Sequence, residues 1–203
     1  MTMARKFPDW KKLYKDREIE DLPWFYPGLD PDLENALDKF GISSGKALDI
    51  GTGPGTQAIA LAERGFKVTG TDLSGTAIRK ARIKAEEAGV TVDFRQDDML
   101  DSTLGTTFDL VFDRGVFHTM QPDMRAEYLG YVYDLVNPGG YLFVKCFSHL
   151  ETMEEGPHRF SPDEIRDYFS GKFEILSIDD TVYHGTLDPY PRALFTSMRK
   201  PGA

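Results

Sequence analysis

The sequence predicts an α/β protein with a doubly wound, mostly parallel sheet that carries helices on both faces. Three observations lead to this class. Short apolar runs typical of strands alternate with runs whose apolar residues recur at helical spacing. Glycine ends several of the helical runs, as is typical of helix C-termini. A turn with glycine at every second position follows the first strand-like run. Repeated alternation of this kind places helices on both faces of a parallel sheet.

The elements follow one another from a first helix onward. Asp30 and Pro31 are typical of a helix N-cap and first helical residue, and Gly41 ends that helix. Seven strands are predicted, at residues 46–50, 67–71, 90–95, 108–112, 141–147, 173–183 and 193–198. Further helices are predicted at residues 56–63, between Ser74 and Gly89, at residues 122–136, and after the capping box of Ser161 and Glu164. The segment Asn137-Pro138-Gly139-Gly140 is expected to break the chain before the fifth strand.

The first thirty residues are predicted to form a lid over the core at residues 31–203. Trp10, Leu13 and Tyr14 fit one face of a short helix, and a non-periodic aromatic stretch around Trp24 follows. We expect residues 1–30 to be mobile in the free protein and ordered once ligand binds. The length of 203 residues fits a single domain.

Composition narrows the classes of function. The formal net charge of −9 argues against a broad nucleic-acid or anionic-membrane surface. The single cysteine, Cys146, excludes an internal disulfide framework and is expected to be buried filler. No signal peptide or membrane span is recognisable, so a cytoplasmic protein is expected. No His, Asp or Glu group has metal-site spacing, and the oligomeric state is left open.

The glycine turn is the first candidate binding element. Gly51, Gly53 and Gly55 give the spacing G-x-G-x-G, whereas dinucleotide binders have G-x-G-x-x-G. Pro54 stiffens the turn and removes one N–H that a phosphate would use. In doubly wound sheets ligands bind beyond the carboxyl ends of the strands, where this turn lies. The departure from the dinucleotide spacing favours a ligand without a pyrophosphate.

Two carboxylates at the next strand ends indicate a nucleoside. Asp72 follows Gly51 by 21 residues, close to the spacing of a carboxylate that binds ribose hydroxyls. Asp98 ends the third strand, where it can accept a hydrogen bond from the adenine amine. Leu73 and Met99 offer apolar faces beside them. Capping of the helix after Ser74 is the alternative role for Asp72. Together the residues predict a pocket for adenosine with a short polar tail.

The pattern of Asp49, the three glycines, Asp72 and Asp98 is similar to that of class I S-adenosylmethionine-dependent methyltransferases. The resemblance runs from about residue 47 to residue 198. It implies a Rossmann-like seven-stranded sheet whose last strand is antiparallel, with S-adenosyl-L-methionine as cofactor. It also implies that the glycine turn lies under the methionine part of the cofactor and that Asp49 interacts with its ammonium group.

A second resemblance concerns the methyl acceptor. Trp24, the run from Asp113 to His118 and the stretch before Ser161 resemble the thiopurine and thiol methyltransferase-like branch. Its members methylate small soft nucleophiles, and their N-terminal segment closes over the cofactor. The resemblance therefore implies that Trp24 borders the methionine end and that the acceptor is a small molecule, with a thiol-like group preferred.

Several residues near the fourth and fifth strands are candidates for the acceptor site. His118 is the candidate general base and Asp113 a second one. Arg114 is a candidate for orienting an anionic substrate, with pairing to a nearby acid as the alternative. His158, Tyr26 and Phe117 are candidates for the wall of the acceptor pocket, and the alternative for the two aromatic rings is lid or core packing.

Three other functions stay open at this point. An O- or N-methyltransferase that uses His118 as base predicts that His118→Ala removes turnover and leaves cofactor affinity intact. A nicotinamide-dependent oxidoreductase is disfavoured by the glycine spacing. A cofactor-binding module without turnover remains possible because a fold does not by itself establish chemistry.

Overall fold

The computed structural model describes Tyr14 and residues 18–202. The predicted helix face of Trp10 and Leu13 lies outside these residues. The bounds of the strands are β1 Lys46–Ile50, β2 Lys67–Asp72, β3 Asp93–Gln96, β4 Phe108–Arg114, β5 Val136–Ser148, β6 Arg159–Phe160, β7 Glu174–Val182 and β8 Arg192–Arg199. They are joined in one sheet with the order β3-β2-β1-β4-β5-β8-β7, and β6 pairs with β5 beside this path.

The direction of the strands confirms the predicted topology. Strands β1 to β5 pair in parallel with one another, and the short β6 pairs in parallel with the end of β5. Strand β8 is antiparallel to both β5 and β7, between which it lies. The last strand is therefore the one that runs against the others. Strand order reverses between β1 and β4, which is the switch point where ligands bind in such sheets.

Helices cover both faces of the sheet, as predicted. The bounds are α1 Pro31–Phe40, α2 Thr56–Glu63, α3 Gly75–Glu87, α4 Arg125–Leu135 and α5 Pro162–Phe169. Apolar residues of α1, α2 and α3 pack in one core cluster, and those of α4 and α5 pack in another. Within β4, Leu110 and Phe112 belong to the first cluster and Val111 to the second, because successive side chains of a strand point to opposite faces.

The structure differs from the predicted elements in three places. Strand β5 begins at Val136, so the segment 137–140 that was expected to break the chain lies within the bounds of β5, where the pairing register with β4 shifts between Val136 and Tyr141. Strand β3 begins at Asp93, later than predicted, because Val90 N–H still donates to the Ala85 carbonyl at the end of α3. The two-residue β6 was not predicted, since two residues carry no readable periodicity. No helix of the described residues is long and apolar enough to cross a membrane.

Candidate active site

The glycine turn between β1 and α2 brings the backbone close to neighbouring side chains. Gly51, Gly53 and Gly55 have φ values of 64°, 53° and 85°, in the left-handed region that favours glycine. A Cβ on Gly51 would lie 2.2 Å from Val116 Cγ2. A Cβ on Gly53 or Gly55 would also lie less than 3 Å from a neighbouring side chain, so the turn needs glycine both for its conformation and for space.

The two carboxylates predicted beside this turn are both buried. Asp49 accepts a hydrogen bond from Thr52 Oγ1 at 2.5 Å, and burial raises the pKa of Asp49 to about 7. Asp72 accepts from the backbone N–H of Gly53 at 2.9 Å and of Ser74 at 2.7 Å. Burial likewise raises the pKa of Asp72 to about 6. Asp72 thus links the glycine turn to the end of β2, and its capping bond to Ser74 is present as well.

A cavity of about 870 Å³ opens at the carboxyl ends of the strands. Its volume lies within the range of small-molecule and cofactor sites. One side is lined by residues from the ends of β2 and β3, namely Asp72, Leu73, Asp97, Asp98 and Met99. Trp24 and Gly51 line it as well, so the structure brings together seven residues around the predicted nucleoside pocket. Asp98 also accepts a hydrogen bond from Leu100 N–H at 2.9 Å.

Asp97 is a lining residue that sequence reasoning missed. Its Oδ1 accepts from the N–H and hydroxyl of Thr103, at 3.1 and 3.3 Å. Its Oδ2 is buried and has no hydrogen-bond partner among the described residues. Buried polar atoms in folded proteins are nearly always paired, so this oxygen fits a ligand donor. The two adjacent aspartates in the sequence gave no signal to choose between Asp97 and Asp98.

A second, small cavity of about 30 Å³ lies at the other side of the glycine turn. It shares Trp24, Gly51 and Arg114 with the large one, and Asp49 also lines it. The predicted position of Trp24, beside the glycine turn, agrees with this arrangement. The ring of Tyr14 meets that of Trp24 edge to face at 6.5 Å.

Arg114 holds the Trp24 segment against the sheet. Its Nε donates to Asp30 Oδ2 at 2.7 Å, its Nη1 to the Trp24 carbonyl at 2.8 Å and its Nη2 to the His184 carbonyl at 2.5 Å. Its guanidinium also stacks over the Tyr183 ring at 4.7 Å. Each of the three nitrogens thus makes one hydrogen bond within the protein. Pairing with a nearby acid, the alternative considered for Arg114, is present in the structure. Arg114 also lines both cavities, so its role in orienting an anionic substrate stays a prediction.

Three possible metal ligands, Asp30, Asp32 and His184, lie within 4.8 Å of one another. The ammonium of Lys145 lies between them, 2.8 Å from both oxygens of Asp30, 2.6 Å from Asp32 Oδ2 and 3.3 Å from His184 Nδ1. A lysine ammonium therefore already occupies the position of a cation. This cluster is a structural ion pair rather than a metal site.

His118 lies in the short helical turn Phe117–Thr119 after β4 and is 6% exposed. The backbone N–H of Phe147 donates to His118 Nδ1 at 3.1 Å. A neutral imidazole whose Nδ1 accepts a hydrogen bond carries its proton on Nε2. Burial, together with the charge of Arg114, lowers the pKa of His118 to about 3. His118 lines the cavity and carries an N–H donor at Nε2 in this tautomer, so the geometry argues against the predicted general base.

Asp113 and Phe117 are fully buried and do not line the cavity. The Asp113 carboxylate accepts from the N–H groups of Val116 and Phe117, at 2.6 and 2.9 Å, and from the hydroxyl of Tyr128. Burial raises the pKa of Asp113 to about 6. The Phe117 ring stacks on Phe160 at 4.9 Å within the core. Asp113 thus fixes the turn that carries His118, and the predicted catalytic and acceptor-wall roles of these two residues are corrected.

The remaining two acceptor candidates differ in position. His158 lines the cavity, and its Nε2 lies 3.9 Å from Glu164. Burial and the charge of Arg125 lower the pKa of His158 from its usual value. Tyr26 packs against His184 at 5.6 Å and is absent from the lining of both cavities, so its predicted contact with the acceptor is corrected.

Comparison with known proteins agrees with this geometry. A family model described as a methyltransferase domain matches residues 47–140. The chain is 27% identical to thiocyanate methyltransferase 1 of Brassica oleracea over 180 residues, covering 86% of this chain and 77% of that protein. It is 31% identical to 2-heptyl-1-hydroxyquinolin-4(1H)-one methyltransferase of Mycobacteroides abscessus over 162 residues, covering 78% and 70%.

A solved structure described as “Conversion of a Disulfide Bond into a Thioacetal Group during Echinomycin Biosynthesis” superposes with a TM-score of 0.81. It is 30% identical and covers 95% of this chain and 91% of that chain. Fold, turn and relatives together define a class I methyltransferase with a Rossmann-like sheet. The chain belongs to the S-adenosylmethionine-dependent methyltransferases, and its cofactor is S-adenosyl-L-methionine.

The residues at the cavity fit this cofactor. Gly51 of the glycine turn lines the cavity, and the buried Asp97 oxygen without a partner among the described residues fits a hydrogen-bond donor of the nucleoside. The acidic lining made by Asp49, Asp72 and Asp98 matches a cofactor that carries positive charge and hydroxyl donors.

Proposed function

We propose that this methyltransferase transfers the methyl group to a small sulfur nucleophile. The observation that carries the proposal is the hydrogen bond from Phe147 N–H to His118 Nδ1. This hydrogen bond occupies the nitrogen through which His118, the residue best placed to serve as base, would accept a proton. An acceptor that reaches the site already ionised needs no base.

Thiols meet this requirement better than alcohols do. A thiol with a pKa of about 8.5 is a few per cent thiolate at neutral pH and is strongly nucleophilic in that form. An alcohol or phenol needs a positioned base within hydrogen-bond reach. The protein then supplies alignment and exclusion of water, while the bound cofactor supplies an activated methyl group on sulfonium.

We assign the cofactor-binding roles as follows. The turn of Gly51, Gly53 and Gly55 lies under the methionine part, with Asp49 and Trp24 beside it. Asp72 accepts from the ribose hydroxyls, and Asp98 and the neighbouring Asp97 accept from the adenine amine. Leu73, which is 43% exposed, and Met99 cover the adenine faces.

Two relatives support a sulfur acceptor. One is named for thiocyanate, and the solved structure is described by the conversion of a disulfide to a thioacetal. The relative named for a hydroxyquinolinone supports a second candidate, methylation of a hydroxyl group. In that function His158 is the imidazole left to accept a proton, because it lines the cavity and its pKa is lowered.

Two substitutions of His118 test the proposal. The asparagine of His118→Asn keeps an oxygen near the position of Nδ1, which can still accept the hydrogen bond from Phe147 N–H. The glutamine of His118→Gln keeps an N–H near the position of Nε2. For a sulfur acceptor, we expect His118→Asn to retain turnover within about tenfold, and the rate to rise with pH as the thiol ionises. Turnover is measured with a small thiol, and the affinity for S-adenosylhomocysteine serves as control for folding.

A base mechanism gives a different result. Loss of a general base lowers turnover by about 10²- to 10⁴-fold, with cofactor affinity unchanged. Such a loss in both His118 variants would contradict the proposal. The same loss in His158→Gln, with phenols methylated faster than thiols, would establish the second candidate.

A further inference from the structure

We propose that Arg125 forms an anion-binding subsite in the part of the cavity that His118 and His158 also line, where the methyl acceptor is expected to bind. The acceptor then carries a carboxylate or a similar anionic group. The inference rests on the proposed function, since it names a property of the same acceptor. It starts from a buried cation that has no carboxylate partner.

Arg125 is 2% exposed and lines the cavity. Its Nε donates to the Met120 carbonyl at 3.3 Å and its Nη1 to the Tyr168 hydroxyl at 2.9 Å. Both acceptors are neutral. A guanidinium has five N–H donors, so three remain without a partner among the described residues.

The other buried cations discussed above, Arg114 and Lys145, each have a carboxylate partner. Both form ion pairs with Asp30, at 2.7 and 2.8 Å. Arg125 forms no ion pair within 4 Å with any carboxylate of the described residues. The charge of Arg125 contributes to the lowered pKa of Glu164, but the Glu164 carboxylate accepts its hydrogen bonds from the backbone N–H and the hydroxyl of Ser161.

The position of Arg125 on its helix also leaves its positive charge without compensation. It is the first residue of α4, where the helix dipole is positive and favours anions rather than cations. The rings of Phe160, Tyr168 and Phe117 lie 4.7, 5.4 and 5.8 Å from its guanidinium carbon and stabilise the charge in part. Packing explains the orientation of the side chain but leaves a desolvated positive charge beside the cavity.

An anionic group on the acceptor supplies the missing partner. A guanidinium binds planar carboxylates through two parallel N–H bonds, and the low dielectric of a buried site strengthens the pair. His158 lies on the same part of the cavity wall and adds a polar contact. Glu155, the acidic residue of this part of the lining, is exposed to solvent.

A matched pair of thiols tests the subsite. 3-Mercaptopropionate and its amide have the same thiol and nearly the same shape, and they differ in charge. Each is titrated calorimetrically into protein saturated with S-adenosylhomocysteine at pH 7. We expect the wild type to bind the carboxylate at least about tenfold more tightly than the amide, because hydrogen bonds between two charged groups are stronger than those to a neutral group.

Variants of Arg125 assign the preference to this side chain. Arg125→Gln should remove the preference, and Arg125→Lys should keep part of it. Arg166→Gln, which removes one exposed positive charge from α5, is the control and should leave the preference unchanged. The affinity of each variant for S-adenosylhomocysteine shows that it is folded.

The outcomes separate the subsite from the proposed function. Equal or absent binding of the two thiols by the wild type would overturn the subsite, as would a preference that survives in Arg125→Gln. Methyl transfer is measured separately with both thiols. If the carboxylate thiol binds more tightly but neither thiol is methylated, the subsite is supported and the sulfur acceptor is contradicted. If both thiols are methylated and bind with equal affinity, the sulfur acceptor is supported and the subsite is contradicted.

Discussion

The polar side chains that line the cavity or lie just behind it bind main-chain groups of this chain, and those bonds decide what each side chain can do for a ligand. His118 accepts from Phe147 N–H and is left as a donor. Asp113 accepts from two backbone N–H groups and holds the turn before His118. Asp72 accepts one backbone bond on each oxygen and keeps lone pairs for a ribose. The type of a residue therefore suggests its role, and the hydrogen bonds that the side chain makes in the structure decide whether it can perform that role.

At the scale of single residues, the raised pKa of Asp72 predicts pH-dependent cofactor binding. In the proposed site the ribose hydroxyls donate to the ionised Asp72 carboxylate, and this ionised form is lost as the pH falls through about 6. We therefore expect the affinity for S-adenosylhomocysteine to fall by about tenfold or more between pH 7.5 and pH 5. Calorimetry at both pH values measures the effect.

Asp72→Ala provides the comparison for this prediction. It should bind S-adenosylhomocysteine weakly at both pH values, because two backbone N–H groups and the ribose lose their acceptor. NAD is the negative control for the nucleoside pocket. Unchanged affinity in the variant would show that Asp72 only caps the turn at Ser74.

At the scale of elements, the β1–α2 turn packs its backbone against two neighbouring elements. A Cβ on Gly55 would lie 2.8 Å from Phe94 Cζ on β3 and 2.9 Å from Ala81 Cβ on α3. These contacts make the turn part of the core as well as part of the binding site. The spacing of the glycines therefore serves close packing and ligand access together.

This packing predicts unequal effects of two glycine substitutions. Gly55→Ala should lower the free energy of unfolding by about 1–3 kcal/mol more than Gly65→Ala. Both positions have positive φ, 85° and 92°, but a Cβ on Gly65 meets nothing within 4 Å. The strained backbone alone costs about 1–2 kcal/mol at either site. Urea unfolding of both variants tests this, and equal losses would contradict it.

At the scale of the whole molecule, one buried charge cluster joins distant parts of the chain. Asp30 precedes α1, Arg114 ends β4, Lys145 lies in β5 and His184 follows β7. Burial raises the pKa of Asp30, but Lys145 and Arg114 outweigh this and hold it below its usual value. Through the bond from Arg114 to the Trp24 carbonyl, the cluster also fixes the segment that borders both cavities.

Removing the charge of Asp30 should therefore destabilise the fold strongly. Asp30→Asn leaves two buried cations without their shared partner, and we expect the free energy of unfolding to fall by about 3–5 kcal/mol. Asp38→Asn, an exposed position in the same α1, is the control and should change it by less than about 0.5 kcal/mol. Equal unfolding curves for the two variants would show that the cluster contributes little.

The elements that carried a periodic pattern were predicted well. The glycine turn, the strand ends at Asp72 and Asp98, and the reversed last strand all agree with the structure. Elements without such a pattern, the two-residue β6 and the early start of β5, were missed. Local periodicity and turn chemistry act over a few residues, so the sequence displays them directly.

The sequence by itself determined the fold class and the identity of the cofactor, and it predicted the strand ends at which Asp72 and Asp98 line the cavity, because these strand ends neighbour one another in chain order. Only the tertiary structure decided which polar groups are already bonded. Phe147 N–H fixes the tautomer of His118 from 29 residues away, and Asp30 neutralises Arg114 from 84 residues away. Arg125 lacks such a partner in the described part of the chain, which no local pattern reveals. Pairings of this kind depend on contacts between distant segments, and these form only when the sheet and its helices have packed.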